Sequence, residues 1–266
     1  MSDPNVVLYH NDMSVCAAKV RFVLIEKGIA GTLHGLNLRK GESQTPEYLK
    51  LNPNGVVPTL VHHGRPVIES NLILQYVDEV WPDPPLQPVA AHDRYRMRLW
   101  FKQLDDSVHP ATGTVSSCIA FRHQHLERDP KELQAWLASI PDPARQARTR
   151  AAIELGMESP GFAPAVRRFV QLLDDFDSAL RDHPWIAGPA FTIADLAFSP
   201  YIERLRHLGF GSLIEARPRV ADWFARLSTR PGHQQGVVAW FNPGYLAIFE
   251  RERPKVQAKL AELLSV

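Results

Sequence analysis

The hydrophobic positions change their period along the chain, and those changes divide it. Val6, Val7, Leu8 and Tyr9 form a short apolar, β-branched run suited to a buried strand. The polar turn His10-Asn11-Asp12-Met13 ends it. Val20, Val23, Leu24 and Lys27 then fall at helical spacing, with Gly28 as a stop. The segment around Leu33 to Leu38 reads as a second strand, and Pro46 to Leu51 as a short helix. Val56-Val57-Pro58-Thr59-Leu60-Val61 and Pro66-Val67-Ile68 flank His63-Gly64-Arg65, which predicts an antiparallel hairpin. Leu72, Ile73, Tyr76, Val77 and Val80 share one face of a further helix. The expected order is β-α-β-α-β-β-α.

Beyond Val80 the strand signal stops. Trp81-Pro82-Asp83-Pro84-Pro85-Leu86-Gln87-Pro88 is too rich in proline for a helix and reads as a stiff linker. Three apolar faces at helical spacing follow: Met97, Phe101, Leu104, Val108; then Val166, Phe169, Val170, Leu173, Phe176; then Val220, Trp223, Phe224, Leu227. Between the first two, the polar stretch from His123 to Pro164 carries Pro141, Pro143, Pro160 and Gly161 and predicts broken helices and loop. Thr192-Ile193-Ala194-Asp195 fits a capping box, in which the hydroxyl caps an early amide and the carboxylate reaches back to the Thr192 amide. Pro200 falls inside the helix so started and should kink it. Val256, Leu260, Leu263 and Leu264 make a last amphipathic run. The fold class expected is an α/β domain over residues 1–82, a linker over 83–90 and an all-α domain over 91–266.

Composition narrows the chemistry. The chain has 266 residues, enough for two ordinary domains. Its 30 basic and 29 acidic residues leave a formal charge of +1, which gives no drive toward nucleic acid or an anionic membrane. Arg145, Arg148 and Arg150 read as a solvated helix face. The two cysteines, Cys16 and Cys118, form no disulfide framework and no metal-ligand spacing, so no metal is expected. The N-terminus lacks the basic and apolar regions of a signal peptide, and no apolar run nears the ~18 residues of a membrane span. The expected location is cytoplasmic.

Four local sequences together resemble the glutathione transferase superfamily. They are Leu8-Tyr9 with Ser14, Cys16 and Lys19-Val20-Arg21; Leu51-Asn52-Pro53-Asn54-Gly55-Val56-Val57-Pro58-Thr59-Leu60; Glu69-Ser70-Asn71; and Phe191-Thr192-Ile193-Ala194-Asp195-Leu196. The combination spans most of the chain and is specific, although each piece alone is common. Ser14-Val15-Cys16 is similar to the zeta-class and reductive-dehalogenase branches. Ile140-Pro141-Asp142-Pro143 with Gln146 is similar to the bacterial β-etherases. The resemblance implies a thioredoxin-like first domain that binds glutathione, an all-helical second domain that shapes the electrophile site, and a homodimer.

What the resemblance implies for single residues can be weighed against ordinary chemistry. A free thiol has a pKa of about 8.5, and lowering it by two units takes roughly 2.7 kcal/mol. One hydrogen bond to a charged group supplies about 1.5–3 kcal/mol, and a helix N-terminus about 0.3–1 kcal/mol. Ser14, between the first strand and helix, is thereby implied as the thiolate-stabilising hydroxyl; its ordinary reading is a plain N-cap. Cys16, in the first helical turn, is the rival catalytic residue: its lowered pKa would allow a mixed disulfide with glutathione. Pro58 is implied as a cis-proline that turns the Val57 backbone toward the cysteinyl part of glutathione. Ser70 and its helix N-terminus suit the γ-glutamyl carboxylate, and Glu69 the γ-glutamyl ammonium. Gln44 falls where related classes bind the glycyl carboxylate. The second substrate is expected against the helix of Val108 to Ala120, with His109, Thr112 and Ser116 on the face turned to it, together with Trp240-Phe241.

The function expected is therefore activation of the glutathione thiol for attack on a small, aromatic electrophile. Aryl ether cleavage, reductive dehalogenation through Cys16, and non-catalytic glutathione binding are the alternatives. Cys118 and Asp195 are expected to be structural.

Overall fold

A computed structural model describes residues 2–140 and 142–264 of the chain. Pro141, part of the polar stretch above, lies outside the described residues. The first elements are β1 (Ser2–His10), α1 (Val15–Glu26), β2 (Ala30–Gly35), α2 (Pro46–Leu49), β3 (Thr59–His62), β4 (Arg65–Val67) and α3 (Ser70–Val80), in the order the periodicity predicts. Among the described residues the strands form one sheet, ordered β2-β1-β3-β4. β1 and β2 run parallel, with His10 opposite Gly35. β3 runs antiparallel to β1, with Tyr9 opposite Thr59, and β4 antiparallel to β3, with Leu60 opposite Val67. His63 and Gly64 turn the hairpin with φ of 49° and 74°, the left-handed pair whose twist suits the flanking strands.

Two expectations shift in detail. β2 begins earlier than Leu33–Leu38, because it is an edge strand whose alternation is not written in buried apolar residues: Leu33 is 43% exposed. Leu38 instead opens a short 3₁₀ turn. In α3 the buried face is Ile73, Leu74 and Val77, while Leu72 and Val80 point outward. Two buried polar bonds to α1 rotate it: Lys19 Nζ donates to Asn71 Oδ1 at 2.6 Å, and Lys27 Nζ pairs with Asp78 Oδ1 at 2.5 Å. A buried lysine needs such a partner, so the polar residues claim the inner face.

After α3 come α4 (Ala91–Gln103), α5 (His109–Ser116), α6 (Arg122–Leu126), α7 (Pro130–Ala138), α8 (Pro143–Leu155), α9 (Phe162–Ala179) and α10 (Ile193–His207). They are followed by α11 (Gly211–Glu215), α12 (Pro218–Ser228), α13 (Pro231–Gly236) and α14 (Pro243–Leu264). The predicted faces Met97-Phe101-Leu104-Val108 and Val220-Trp223-Phe224-Leu227 are buried throughout. The polar stretch folds as separate helices because Asp129 and Asp142 each cap one, with proline in the first turn.

The chain groups into two compact units. One comprises Met1–Phe101, Ala179–Ile202 and Asp222–Asn242; the other Lys102–Ser178, Glu203–Ala221 and Pro243–Val266. In the first, α13 packs against α1, and a Cβ on Gly236 would lie 2.7 Å from the Phe22 backbone nitrogen, so only glycine allows that approach. The same unit holds the capping box. Asp195 Oδ2 accepts from the Thr192 amide at 2.9 Å, and Thr192 Oγ1 accepts from the Ala194 amide at 3.2 Å. Asp195 Oδ1 takes the Ile186 amide and the Trp223 indole N–H, each at 2.9 Å. Pro200 lies within α10, as expected. In the second unit, Cys118 is buried and its thiol is pushed up to about 11 by desolvation. Among the described residues no helix is long and apolar enough to cross a membrane, and no group of His, Cys, Asp or Glu could hold a metal ion.

Candidate functional site

The sheet register brings three loops of the first unit to one end. Tyr9 opposite Thr59 places the exit of β1 beside the entry of β3. Leu60 opposite Val67 places the exit of β4 there as well. The loops before α1, β3 and α3 therefore share one edge of the sheet, and they carry Ser14, Val57-Pro58 and Glu69-Ser70. A contact joins two of them: Asn54 Nδ2 donates to Glu69 Oε1 at 3.1 Å.

Ser14 is half-buried and is the N-cap of α1. Its Oγ accepts from the Ala17 amide at 3.2 Å, and its own amide donates to Asn11 O at 3.4 Å. A hydroxyl also has one proton to give. Among the described residues the Ser14 proton meets no acceptor, so the hydroxyl sits at the positive end of a helix with a donor to spare. That is the arrangement a thiolate needs.

The Val57-Pro58 peptide bond is cis. Sequence reasoning missed how it is braced. The Tyr48 hydroxyl donates to Val56 O at 2.6 Å and pairs with Thr59 Oγ1 at 2.8 Å. Asn52 Nδ2 reaches the same two oxygens at 2.9 and 3.1 Å, while its Oδ1 accepts from the Asn54 amide. Burial of Tyr48 raises its hydroxyl pKa, which keeps it a donor. The signal was present in Asn-Pro-Asn-Gly, a sequence of side-chain-to-backbone turns. Gln44 Nε2 donates to Gly55 O at 2.7 Å, which places this exposed side chain beside the same loop.

Glu69 precedes α3 with φ of 65° and ψ of 105°, a backbone conformation that costs a non-glycine residue energy. Such conformations persist where the surroundings impose them, and they cluster at functional sites. α3 has no side-chain cap, and the Ser70 hydroxyl has no partner among the described residues. An uncapped helix start with a spare hydroxyl and an adjacent carboxylate can hold an anion and a cation side by side, as an amino acid group presents them.

The family described as "Glutathione S-transferase, N-terminal domain" matches residues 13–80, and "Glutathione S-transferase, C-terminal domain" matches residues 134–226, together more than half of the chain. The chain belongs to the glutathione transferase superfamily. It is 28% identical to the tetrachloro-p-hydroquinone reductive dehalogenase of Sphingobium chlorophenolicum, over 85% of this chain and 93% of that protein. It is 26% identical to glutathione S-transferase F10 of Arabidopsis thaliana, over 78% and 85% respectively. The β-etherase LigF of Sphingobium sp. strain SYK-6 superposes with a TM-score of 0.79 and 23% identity, covering 88% of this chain and 99% of that one; that likeness concerns the fold.

In this transferase-family chain Cys16 lies close to Ser14 in sequence. It is half-buried, and its Sγ is 3.4 Å from the Tyr201 hydroxyl of α10. The second-substrate candidates lie apart in character. His109 is exposed; Thr112 is buried and donates to Val108 O at 2.8 Å; Ser116 is buried and its Oγ accepts from Arg204 Nη1 at 3.3 Å. Trp240 is half-buried and stands edge-on to His10 at 4.6 Å.

Arg21, part of the family motif but given no role from sequence, is 2% exposed. Its guanidinium donates to Gly236 O, Asn11 O and Asp12 O at 2.8, 3.0 and 3.1 Å. Its Nη1 also meets His10 Nδ1 at 3.1 Å, so His10 is the neutral acceptor there. Burial, aided by Arg21, lowers the His10 pKa to about 4, and burial lowers that of Arg21 to about 9.

Proposed function

We propose that this protein is a homodimeric, cytoplasmic glutathione transferase in which Ser14 activates the glutathione thiol for attack on a small aromatic electrophile. Residues 1–82 serve as its glutathione domain, 83–90 as the linker and 91–266 as the electrophile-binding domain. The observation that carries the reading is the Ser14 hydroxyl, an N-cap with its proton uncommitted. Glutathione lies along the three-loop edge. The Val57 backbone pairs with its cysteinyl unit, Ser70 and the α3 amides take the γ-glutamyl carboxylate, and Glu69 takes the ammonium. Gln44 stands at the glycyl end. The thiol gives its proton to solvent, the Ser14 O–H donates to the thiolate, the sulfur attacks a ring carbon of the electrophile, and the group displaced from that carbon (chloride in chlorodinitrobenzene) leaves with the bonding pair. His109 is the exposed member of the second-substrate set, with Thr112 and Ser116 beneath it on the same helix.

The Cys16–Tyr201 pair supports a second reading. There a thiolate at Cys16 would exchange with a glutathione adduct, which suits reductive dehalogenation, the activity in the name of the Sphingobium chlorophenolicum relative. Glutathione-dependent turnover of chlorodinitrobenzene by wild type, Ser14→Ala and Cys16→Ala separates the two. Collapse in Ser14→Ala alone supports the serine reading; collapse in Cys16→Ala alone replaces it with the cysteine one. Glutathione binding without turnover of this probe, an aryl ether or a halogenated hydroquinone would make the protein a binder.

A further inference from the structure

The loop that presents Ser14 is held from behind by groups far away in sequence. Asn11 O accepts from both the Ser14 amide, at 3.4 Å, and Arg21 Nη1, at 3.0 Å. Asp12 O accepts from Arg21 Nη2. Arg21 is in turn fixed by Gly236 O and lies 4.8 Å from the Trp240 ring centre. The chain then returns to the loop. Asn242 Nδ2 donates to Asp12 Oδ2 at 2.9 Å, and the Asn242 amide approaches Met13 Sδ at 3.4 Å. Gly236 lets α13 come close enough to α1 for this to happen.

We propose that Arg21 and the segment Gly236–Asn242 form a clamp that positions Ser14 toward the glutathione sulfur, so that the C-terminal part of the first unit sets the activation of the thiol. The proposal rests on the serine reading above. Arg21 is a positioning residue: it acts through the Asn11 and Asp12 carbonyls. A buried guanidinium with four partners holds a loop more narrowly than packing does, because each donor fixes a direction as well as a distance. A hydrogen bond to a thiolate weakens steeply when its angle opens. A loop free to move by a fraction of an ångström would therefore keep glutathione bound yet lose part of the thiol activation.

The test is a titration of the glutathione thiol bound to the full-length protein, followed by thiolate ultraviolet absorbance, in wild type, Arg21→Gln, Asn242→Ala and Ser14→Ala. The clamp predicts that Arg21→Gln raises the bound thiol's pKa by about one unit, a tenfold fall in its ionisation constant and about a threefold loss of thiolate near pH 7. Asn242→Ala shifts it the same way by a smaller step. Affinity for S-methylglutathione, which has no thiol to ionise, stays within about twofold for both, as expected when positioning rather than binding is lost. A merely structural Arg21 would lower the melting temperature and leave the titration of the folded variant where it was; that result overturns the clamp. If Arg21→Gln does not fold, Asn242→Ala decides: a raised pKa upholds the proposal and an unmoved one overturns it. An unmoved titration in Ser14→Ala overturns the serine reading, and the clamp with it.

Discussion

Two helix starts in the first unit are built from the same kind of residue and differ in how their hydrogen bonds are used. At α1, Ser14 caps one amide, is half-buried and keeps its proton. At α10, Thr192 caps one amide, is buried, and its hydroxyl donates to Asp195 Oδ2 at 3.1 Å. Asp195 in turn accepts from Ile186, Thr192 and Trp223. A serine or threonine before a helix is thus the same signal in sequence at both places. What distinguishes the two starts is whether the donors and acceptors are used up. At Asp195 both carboxylate oxygens are occupied, and at Ser14 the hydroxyl proton meets no acceptor among the described residues.

The largest effect should come from breaking the Asp195 joint. Asp195→Asn keeps the size but turns an amide N–H₂ toward groups that themselves donate. Roughly 2–4 kcal/mol of stability should go, since several buried donors lose their acceptor at once. Denaturant unfolding reads this directly, and the fraction still folded should bind glutathione as wild type does. A variant that unfolds normally but fails in turnover would move Asp195 from joint to site.

A smaller effect is expected at the brace of the cis-proline loop. Tyr48→Phe removes the hydroxyl that holds Val56 O and Thr59 Oγ1. Loss of about 1 kcal/mol of loop order should raise the KM for glutathione about fivefold while kcat stays near its value. Steady-state kinetics with glutathione as the varied substrate checks it. A fall in kcat with KM unchanged would place Tyr48 in the chemistry instead.

The third effect is an acid limb in stability. His10 titrates near 4 in the folded protein against an ordinary 6.5, so the unfolded chain binds more protons across that window. Stability contributed by His10 is present above pH 6.5 and is lost as the pH falls toward 4. His207, in the second unit, is lowered to about 4 chiefly by burial and adds a similar slope. His10→Gln keeps an acceptor for Arg21 and should flatten the limb partly, because His207 still titrates. Unfolding free energies measured from pH 7 down to 4 test this; an unchanged slope would mean that His10 is protonated within the fold.

Much of this was legible in the sequence because period and punctuation are local. Val6–Tyr9, the hairpin around His63-Gly64 and the capping box at Thr192 each declare themselves within a few residues. β2 did not, since an exposed edge strand has no buried alternation to display. The rotation of α3 was hidden because it depends on Lys19 and Lys27, whose partners Asn71 and Asp78 lie on another helix. The candidate site divides the same way. Ser14, Val57-Pro58 and Glu69-Ser70 are short motifs. Arg21 reads as an ordinary helix-face cation until Gly236 and Trp240 arrive from the far end of the chain.

The most direct test of the central claim is the pH dependence of kcat/KM for the electrophile at saturating glutathione, which titrates the enzyme–glutathione complex, in wild type, Ser14→Ala and Cys16→Ala. If Ser14 stabilises the thiolate, the acid limb of the profile should move up by about two units in Ser14→Ala, toward the free thiol near 8.5, with Cys16→Ala unshifted. A limb that stays in place in Ser14→Ala and moves in Cys16→Ala would contradict the account.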